Sequence, residues 1–259
     1  MLTATNITVR IGQKTILNRI TFAAPPGALT AIVGPNGSGK STMLRALSGD
    51  IACDGAVHLG GDDIRSLKPW QLAARRGVLP QASALAFPFT VHEVVRIGLH
   101  SSAGAGTDTR VMQALAEVGL AHYADRFYQE LSGGEQQRTQ LARVLAQVWE
   151  PTRNGVPCWL LLDEPVSALD IAHQLQVMTI ARDFAQRGGG VVAVMHDLNL
   201  TAMFASEVAV LHKGQVLATG TPDAVLTDDT LRKAYGCKLR VGVVPEAHDL
   251  FVLPQSAAP

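Results

Sequence analysis

The 259-residue chain lacks an excess of charge of either sign, because Lys and Arg number 22 together and Asp and Glu also number 22. No global basic field therefore points to nucleic acid, and we expect no nucleic acid partner. Cysteine is scarce as well. The three cysteines lie far apart and lack the spacing of metal ligands, which is typical of reduced thiols in a cytosolic protein.

Long apolar runs are also missing. No run approaches the roughly 18 residues that a membrane-spanning helix needs. The N-terminus has no charged region followed by an apolar core, so no signal peptide is expected. Hydrophobic residues still make up 47% of the chain, which is enough for a sizeable core. If the protein works at a membrane, something other than a span of its own must hold it there.

The most informative segment present is a glycine-rich loop between an apolar run at 29–33 and a helical pattern at 43–47. This strand–loop–helix context is what a phosphate-binding P-loop requires, and it disfavours a turn without chemical meaning. Inward-facing N–H groups and the positive end of the helix would hold an anion. We expect Lys40 to reach the β- and γ-phosphates, Ser41 to bind Mg²⁺ and Thr42 to add a phosphate contact. The loop consists of Gly34, Pro35, Asn36, Gly37, Ser38, Gly39, Lys40, Ser41 and Thr42.

Strand and helix patterns alternate around this loop, which predicts a mostly parallel sheet covered on both faces. A β-hairpin is expected around Lys213-Gly214. Residues 90–148 show helical periodicity, interrupted by a flexible, exposed loop at 100–107, and indicate an inserted helical subdomain. The predicted division is a single domain over 1–259, with a core and β-subdomain at 1–83 and 156–240, a helical subdomain at 84–155 and a tail at 241–259.

A second candidate site follows the buried strand at 160–162, where Asp163 and Glu164 emerge. Open α/β sheets bind ligands at the carboxyl ends of their strands. Beside a P-loop, Asp163 fits the Mg²⁺ position through water, and Glu164 fits a general base that orients the attacking water. Without the P-loop upstream, the pair would be interpreted as ordinary surface acids that cap a strand.

A third segment opens a helix with two unusual glycines. Ser132 and Glu135 have the spacing of a capping box. That motif does not explain Gly133 and Gly134, since a glycine costs up to about 1 kcal/mol against alanine in a helix interior. Close approach of an anion to bare backbone N–H groups would explain both glycines.

The string Leu131-Ser132-Gly133-Gly134-Glu135 resembles the signature motif of ATP-binding cassette (ABC) ATPases. The other elements of that family occur in the family's order: Gln81 matches the Q-loop, 167–170 the D-loop and His196 the switch histidine. Taken singly, Gln81 and His196 would be a loop glutamine and a strand-end histidine. The resemblance covers about residues 3–235. It implies an α/β fold: a P-loop NTPase (RecA-like) core with a mostly parallel sheet, an N-terminal antiparallel β-subdomain and an inserted α-helical subdomain.

The resemblance also implies a head-to-tail homodimer with two ATP molecules in its interface, and Mg²⁺ with each. Each ATP would lie between the P-loop of one copy and Ser132 and Gly134 of the other. His196 would contact the γ-phosphate, and Asp170 would link the two sites. The catalytic residues implied are Lys40, Gln81, Glu164 and His196, the metal-binding residues are Ser41, Gln81 and Asp163, and the nucleotide site also includes Gly133, Glu135 and Asp170.

The chain departs from the family's pattern at the position of an aromatic residue that often stacks on adenine. Ile11 stands there, so we expect weaker stacking or stacking by other residues. Val166 replaces a common threonine, with little expected consequence. No export-type coupling motif precedes the signature, and no membrane-spanning domain is fused to the chain. Both features favour an importer, with two copies of a separate permease subunit and a peripheral location on the cytoplasmic face of the bacterial inner membrane.

The insert at 149–157 and its flanks at 142–147 and 168–174 are similar to bacterial haemin importers, although the insert could be a neutral surface loop. We therefore expect an ATPase subunit that powers haem uptake, with a periplasmic haem-binding protein as an indirect partner. The alternatives are a ferric-siderophore or cobalamin importer ATPase and, from another class, a soluble non-transport ABC protein. The cassette itself should not touch haem, and its scattered histidines, His58, His92 and His173, are interpreted as structural or surface residues.

The apolar stretch at 84–89 follows the Q-loop position at once and contains a stiffening proline. We interpret the stretch as a candidate docking groove for a permease helix. The alternative is that Phe87 and Phe89 fill the core of the helical subdomain.

Overall fold

A computed structural model of the chain describes residues 1–81, 87–99, 107–244, 250 and 252–256. The strands in chain order are β1 (Leu2–Ile11), β2 (Lys14–Ala24), β3 (Leu29–Val33), β4 (Asp54–Leu59), β5 (Asp62–Asp63), β6 (Arg76–Leu79), β7 (Thr152–Arg153), β8 (Val156–Pro157), β9 (Trp159–Asp163), β10 (Gly190–Val194), β11 (Glu207–His212) and β12 (Gln215–Gly220). The helices in chain order are α1 (Lys40–Ser48), α2 (Pro69–Ala73), α3 (Val91–Ile97), α4 (Thr107–Glu117), α5 (Gly133–Gln147), α6 (Ile171–Gln186), α7 (Leu198–Phe204), α8 (Pro222–Val225) and α9 (Asp228–Tyr235).

The central sheet has the strand order β12-β11-β3-β10-β9-β6. Every neighbouring pair is parallel except β11 and β12, which form the hairpin expected around Lys213-Gly214. The predicted mostly parallel sheet is therefore confirmed. Because β3, β6, β9 and β10 run in the same direction, the loops that follow them all leave from one edge of the sheet.

The inner strands β3, β9 and β10 are buried on both faces, and their apolar side chains alternate between two cores. Leu160 and Leu162 of β9 belong to one apolar cluster, whereas Trp159 and Leu161 belong to the other. This is the period of two that a strand imposes on successive side chains. It explains why the sequence there is a continuous apolar run, since neither face is left to solvent.

A separate sheet formed by the N-terminal strands covers one face of the central sheet together with α1. Its strand order is β2-β1-β4-β5, and every pairing in it is antiparallel. Side chains such as Leu2, Ile7 and Leu17 pack into the same cluster as Met43 of α1 and Trp159 of β9. The predicted antiparallel β-subdomain is thus confirmed.

Helices α3, α4 and α5 lie on the other side of the sheet, in the segment whose periodicity predicts helices. Val95, Leu115 and Leu141 share one core cluster with the sheet residues on this side. The contact with the sheet is close at Gly77, where an added Cβ would lie 2.6 Å from Val144 Cγ1. Residues 100–106 of the predicted exposed loop, and residues 84–86 at the predicted start of the subdomain, lie outside the described residues.

The insert at 149–157 folds into a small hairpin and does not remain an irregular link. Strands β7 and β8 pair antiparallel around an Asn154-Gly155 turn, a dipeptide typical of two-residue hairpins. The backbone N–H of Cys158 donates to Pro151 O at 2.8 Å and closes the base of the hairpin. In the described part of the chain, no helix combines the length and the apolar character that a bilayer crossing needs.

Candidate active site

The P-loop follows β3 and has a backbone that requires glycine at its first position. Gly34 has a φ of 147°, and a Cβ added there would lie 2.1 Å from Leu211 O of the neighbouring strand β11. Helix α1 begins at Lys40, so the last three residues of the loop form its first turn. The positive end of that helix therefore faces the loop, as an anion site requires.

The interior of the loop offers an unpaired hydroxyl and a buried ammonium group that fit a phosphate. Ser38 is buried, and its Oγ has no hydrogen-bond partner among the described residues. Lys40 is also buried, and its Nζ donates to Gly34 O at 2.9 Å and to Pro35 O at 3.2 Å. Burial lowers the pKa of Lys40, whereas the charges of Glu164 and Asp163 raise it. An anion would satisfy both the orphaned hydroxyl and the desolvated ammonium.

Ser41 and Asp163 meet at the start of α1, as a shared metal site requires. Ser41 Oγ donates to Asp163 Oδ1 at 3.0 Å. Burial raises the pKa of Asp163, and the hydrogen bond from Ser41 opposes that shift. Oxygen donors of this kind suit Mg²⁺, which usually binds through one or two carboxylates, water and substrate phosphates. The described residues contain no cluster of three or more potential metal ligands, so a cation here would depend on phosphate and water oxygens.

Glu164 and His196 are brought together because β9 and β10 are neighbours in the sheet. His196 Nε2 lies 2.6 Å from Glu164 Oε1. Glu164 has a φ of 51°, in the left-handed region that side chains rarely adopt. Its backbone N–H donates to Val194 O at 3.2 Å. This geometry turns the carboxylate of Glu164 toward the loop that follows β10.

The signature segment forms the predicted capping box at the start of α5. Glu135 N donates to Ser132 Oγ at 3.4 Å, and Ser132 N donates to Glu135 Oε2 at 2.8 Å. Hydrogen bonds from Ser132 lower the pKa of Glu135. A Cβ on Gly134 would lie 3.1 Å from Ala168 O, whereas a Cβ on Gly133 would meet nothing within 4 Å. Packing within the chain therefore accounts for Gly134 and leaves Gly133 open for a ligand.

Asp170 caps α6 beside the signature turn. Its Oδ1 accepts from His173 N at 2.9 Å, and His173 Nδ1 lies 2.9 Å from both carboxylate oxygens. These bonds lower the pKa of Asp170. Asp170 and His173 line an open cavity of about 440 Å³ together with the signature turn and Arg138. The sequence analysis interprets His173 as a structural or surface residue and does not predict that it lies beside the signature turn.

Gln81 follows β6 and lies beside the start of α5. It lines a cavity of about 220 Å³ that also includes Gln137 and Ser167. Sequence reasoning missed Gln137, whose amide contacts the backbone at Glu164 and Ala168. Its position on the helix that carries the signature was the one available signal. Ile11, at the end of β1, is 58% exposed.

The sheet edge thus carries a P-loop, a buried aspartate joined to its Ser41 and a glutamate paired with a histidine, which defines the chain as a P-loop ATPase. Residues 17–167, more than half of the chain, match the ABC transporter family. The chain belongs to that family, and the predicted fold class is confirmed.

Relatives named hemin import ATP-binding protein HmuV resemble the chain along almost its entire length. The protein from Roseobacter denitrificans is 60% identical over 256 residues, which cover 99% of this chain and 98% of the relative. The protein from Ruegeria sp. is 60% identical over 254 residues, with 98% of each chain covered. The predicted resemblance to haemin importer ATPases is therefore confirmed.

Solved structures agree with the fold. An inward-facing ABC transporter of the metal-chelate type has a TM-score of 0.75 at 27% identity, covering 92% of this chain and 89% of that chain. A bacterial ABC transporter cassette solved in dimeric form has a TM-score of 0.74 at 28% identity, covering 86% of this chain and 99% of that cassette.

Proposed function

We propose that the chain is the ATP-hydrolysing subunit of an ABC importer that powers haem uptake through a separate permease. The observation that carries the proposal is the 60% identity to a hemin import ATP-binding protein over 99% of the chain. The similarity extends well beyond residues 17–167, which match the general family. A ferric-siderophore or cobalamin importer remains the second candidate, and the metal-chelate transporter, at 27% identity, is the neighbour that favours it.

In the proposed mechanism, the P-loop N–H groups and Lys40 hold the phosphates of ATP. Ser41 and Asp163 would hold Mg²⁺, which supplies charge neutralisation of the phosphate oxygens. Glu164 accepts a proton from the attacking water as general base. His196, 2.6 Å from Glu164 Oε1, fixes the orientation of that carboxylate. His196 would also contact the γ-phosphate. Gln81, at the end of β6, would contact the attacking water and Mg²⁺.

The proposed assembly is a head-to-tail homodimer on two copies of a permease. Gly133 supports the dimer, because a Cβ there would meet no other described residue within 4 Å. The start of the helix therefore has room for a phosphate of the ATP held by the other copy. Docking on the permease places the cassette peripherally at the cytoplasmic face of the inner membrane. A periplasmic haem-binding protein would deliver haem to the permease, so the cassette meets the cargo only indirectly. The helical segment at 84–155 would transmit ATP binding to the permease.

The deciding experiment is transport by vesicles that contain this chain and the permease of a haemin import system. We expect ATP-dependent movement of haemin with the wild-type chain and none with Glu164→Gln. Ferric siderophore and cobalamin, each offered with its own binding protein, serve as competing cargoes. Movement of either without movement of haemin would assign the chain to the second candidate. Stable ATPase activity with no effect of any permease would contradict the importer altogether.

A further inference from the structure

One amide side chain joins the signature helix to the backbone of the proposed general base. Gln137 lies on α5, and its Nε2 donates to Glu164 O at 2.8 Å. Its Oε1 accepts from Ala168 N at 3.2 Å. Both hydrogen-bonding groups of the amide are therefore used on the loop that follows β9. The loop begins at the general base and ends at Asp170.

The backbone at Glu164 needs such support. A φ of 51° is unfavourable for a residue with a side chain, and it persists only where the surroundings hold it. Among the described hydrogen bonds to Glu164 O, those from Ser167 Oγ at 3.2 Å and Ser167 N at 3.3 Å are local. Gln137 donates the only described one that comes from another element. A shift of α5 would therefore reach Glu164 through this bond.

We propose that Gln137 is a positioning residue that couples the two ATP sites of the dimer. The inference rests on the proposed homodimer, in which the start of α5 faces the ATP held by the partner copy. Glu164 of the same chain acts on the ATP held by its own P-loop. When a phosphate docks at Ser132 and Gly133, α5 settles into its final position. Gln137 then sets the backbone of Glu164, so each site becomes competent only when the other is filled.

The first test compares Gln137→Ala with a matched control on the same helix. Gln147 is also half-buried, and its Nε2 donates to Ala73 O at 2.8 Å and to Arg76 O at 2.9 Å, at the far end of α5 from the signature turn. We expect Gln137→Ala to lower kcat roughly 10- to 100-fold, because small misplacements of a catalytic group have effects of that size, with little change in KM. Gln147→Ala should keep kcat near the wild-type value and lower the melting temperature about as much as Gln137→Ala does. Equal kcat losses in the two variants would overturn the coupling.

A second variant separates the two hydrogen bonds. Gln137→Glu keeps the length of the side chain and an acceptor for Ala168 N–H. An ionised carboxylate cannot donate to Glu164 O, so we expect a loss of kcat at least as large as in Gln137→Ala. A wild-type kcat in Gln137→Glu would show that the bond to Glu164 has no role in turnover.

The third test asks whether Gln137 passes the effect of phosphate binding at Ser132 on to Glu164. If both act on one path, Ser132→Ala with Gln137→Ala should lose little more kcat than the worse single variant. Losses that multiply would overturn the coupling. In the Glu164→Gln background, Gln137→Ala should still dimerise with ATP. If this double variant does not dimerise, Gln137 is instead needed to form the signature turn. A Glu164→Gln parent that stays monomeric would instead overturn the proposed homodimer, and the coupling with it.

Discussion

At the scale of single residues, the contact between Glu164 and His196 determines where the carboxylate of Glu164, the proposed general base, points. The two side chains come from adjacent strands and lie 2.6 Å apart. The side chain of Glu164 is 15% exposed and that of His196 is 43% exposed. The base is therefore largely shielded, while the histidine remains open to a nucleotide.

Glu164→Gln should preserve ATP binding and remove most hydrolysis. Loss of a general base typically lowers the rate about 10²–10⁴-fold, while the P-loop groups that hold phosphate are untouched. Binding of a fluorescent ATP analogue and phosphate release by the same preparation measure the two properties. Turnover close to the wild-type rate would move the base elsewhere, with His196 the first candidate.

Asp163→Asn should stabilise the nucleotide-free protein near neutral pH and weaken its response to Mg²⁺-ATP. Burial raises the pKa of Asp163 above its ordinary 3.8. The ionised form of Asp163 is thus disfavoured in the folded protein. The protein is most stable below the ordinary pKa of 3.8, and this stability is lost as the pH rises through the raised pKa of the folded state. Asparagine removes this loss and keeps an acceptor for Ser41. Urea unfolding from acid to neutral pH, without nucleotide, measures the effect.

Asp229 on α9 provides a control of opposite sign. Hydrogen bonds from Lys233 and Arg232 lower the pKa of its carboxyl group. Asp229→Asn should therefore lower stability above the ordinary pKa of aspartate and change little in acid. An Asp163→Asn variant that is less stable than wild type at neutral pH would contradict our account of the buried carboxylate.

At the scale of elements, the start of α5 combines packing within the chain with the proposed binding of a phosphate. Its capping box satisfies Ser132 N and Glu135 N within the chain. Gly134 is needed because α5 passes close to Ala168, whereas Gly133 has free space around it. The sequence presents the two adjacent glycines as equivalent, but the physical reason for a glycine differs between the two positions.

Gly133→Ala should leave the fold intact or stabilise it, by up to about 1 kcal/mol from helix propensity. The added methyl group meets no other described residue within 4 Å, but it would occupy the space proposed for a phosphate from the partner copy. We expect normal thermal unfolding and loss of ATP-driven dimerisation. Gly134→Ala is the comparison, since its Cβ meets Ala168 O at 3.1 Å and should also reduce stability. Normal dimerisation of Gly133→Ala would place the phosphate elsewhere.

At the scale of the whole molecule, the P-loop and the signature turn belong to the same chain but serve different ATP molecules in the proposed dimer. We predict that Glu164→Gln forms a dimer with ATP and Mg²⁺, because hydrolysis no longer removes the shared nucleotide. The interface should have two-fold symmetry. Light scattering or sedimentation at increasing ATP measures the mass. A mass that stays monomeric at saturating ATP would contradict the shared sites.

The surface after the Q-loop position is where the whole cassette would contact a permease. Phe87 is 68% exposed, whereas Phe89 packs against the core. The two rings contact each other edge to face, with their centroids 6.2 Å apart, but they differ in exposure. Residues 84–86 of that stretch lie outside the described residues. Gln129 Nε2 donates to Phe87 O at 2.9 Å and holds the segment to the helical side of the molecule.

Phe87→Ser should uncouple ATP hydrolysis from transport. An exposed aromatic residue contributes little to the stability of the isolated chain, so its basal ATPase activity should persist, while haemin movement in vesicles with the permease falls. Phe89→Ser is the control, since removing a partly buried ring should lower the melting temperature. A parallel loss of basal ATPase and transport in Phe87→Ser would show that Phe87 belongs to the core.

The sequence alone determined the parallel sheet, the P-loop and the acids at the end of β9, because these depend on local patterns: apolar runs, glycine spacing and residues next to a strand end. It also predicted the hairpin at Lys213-Gly214. The tertiary structure alone decided the contacts that join distant segments, such as Ser41 with Asp163, Glu164 with His196, and Gln137 with the backbone at Glu164. These contacts depend on strand order and on how closely α5 approaches the sheet at Gly77. No local pattern encodes either, because both follow from the packing of the entire core.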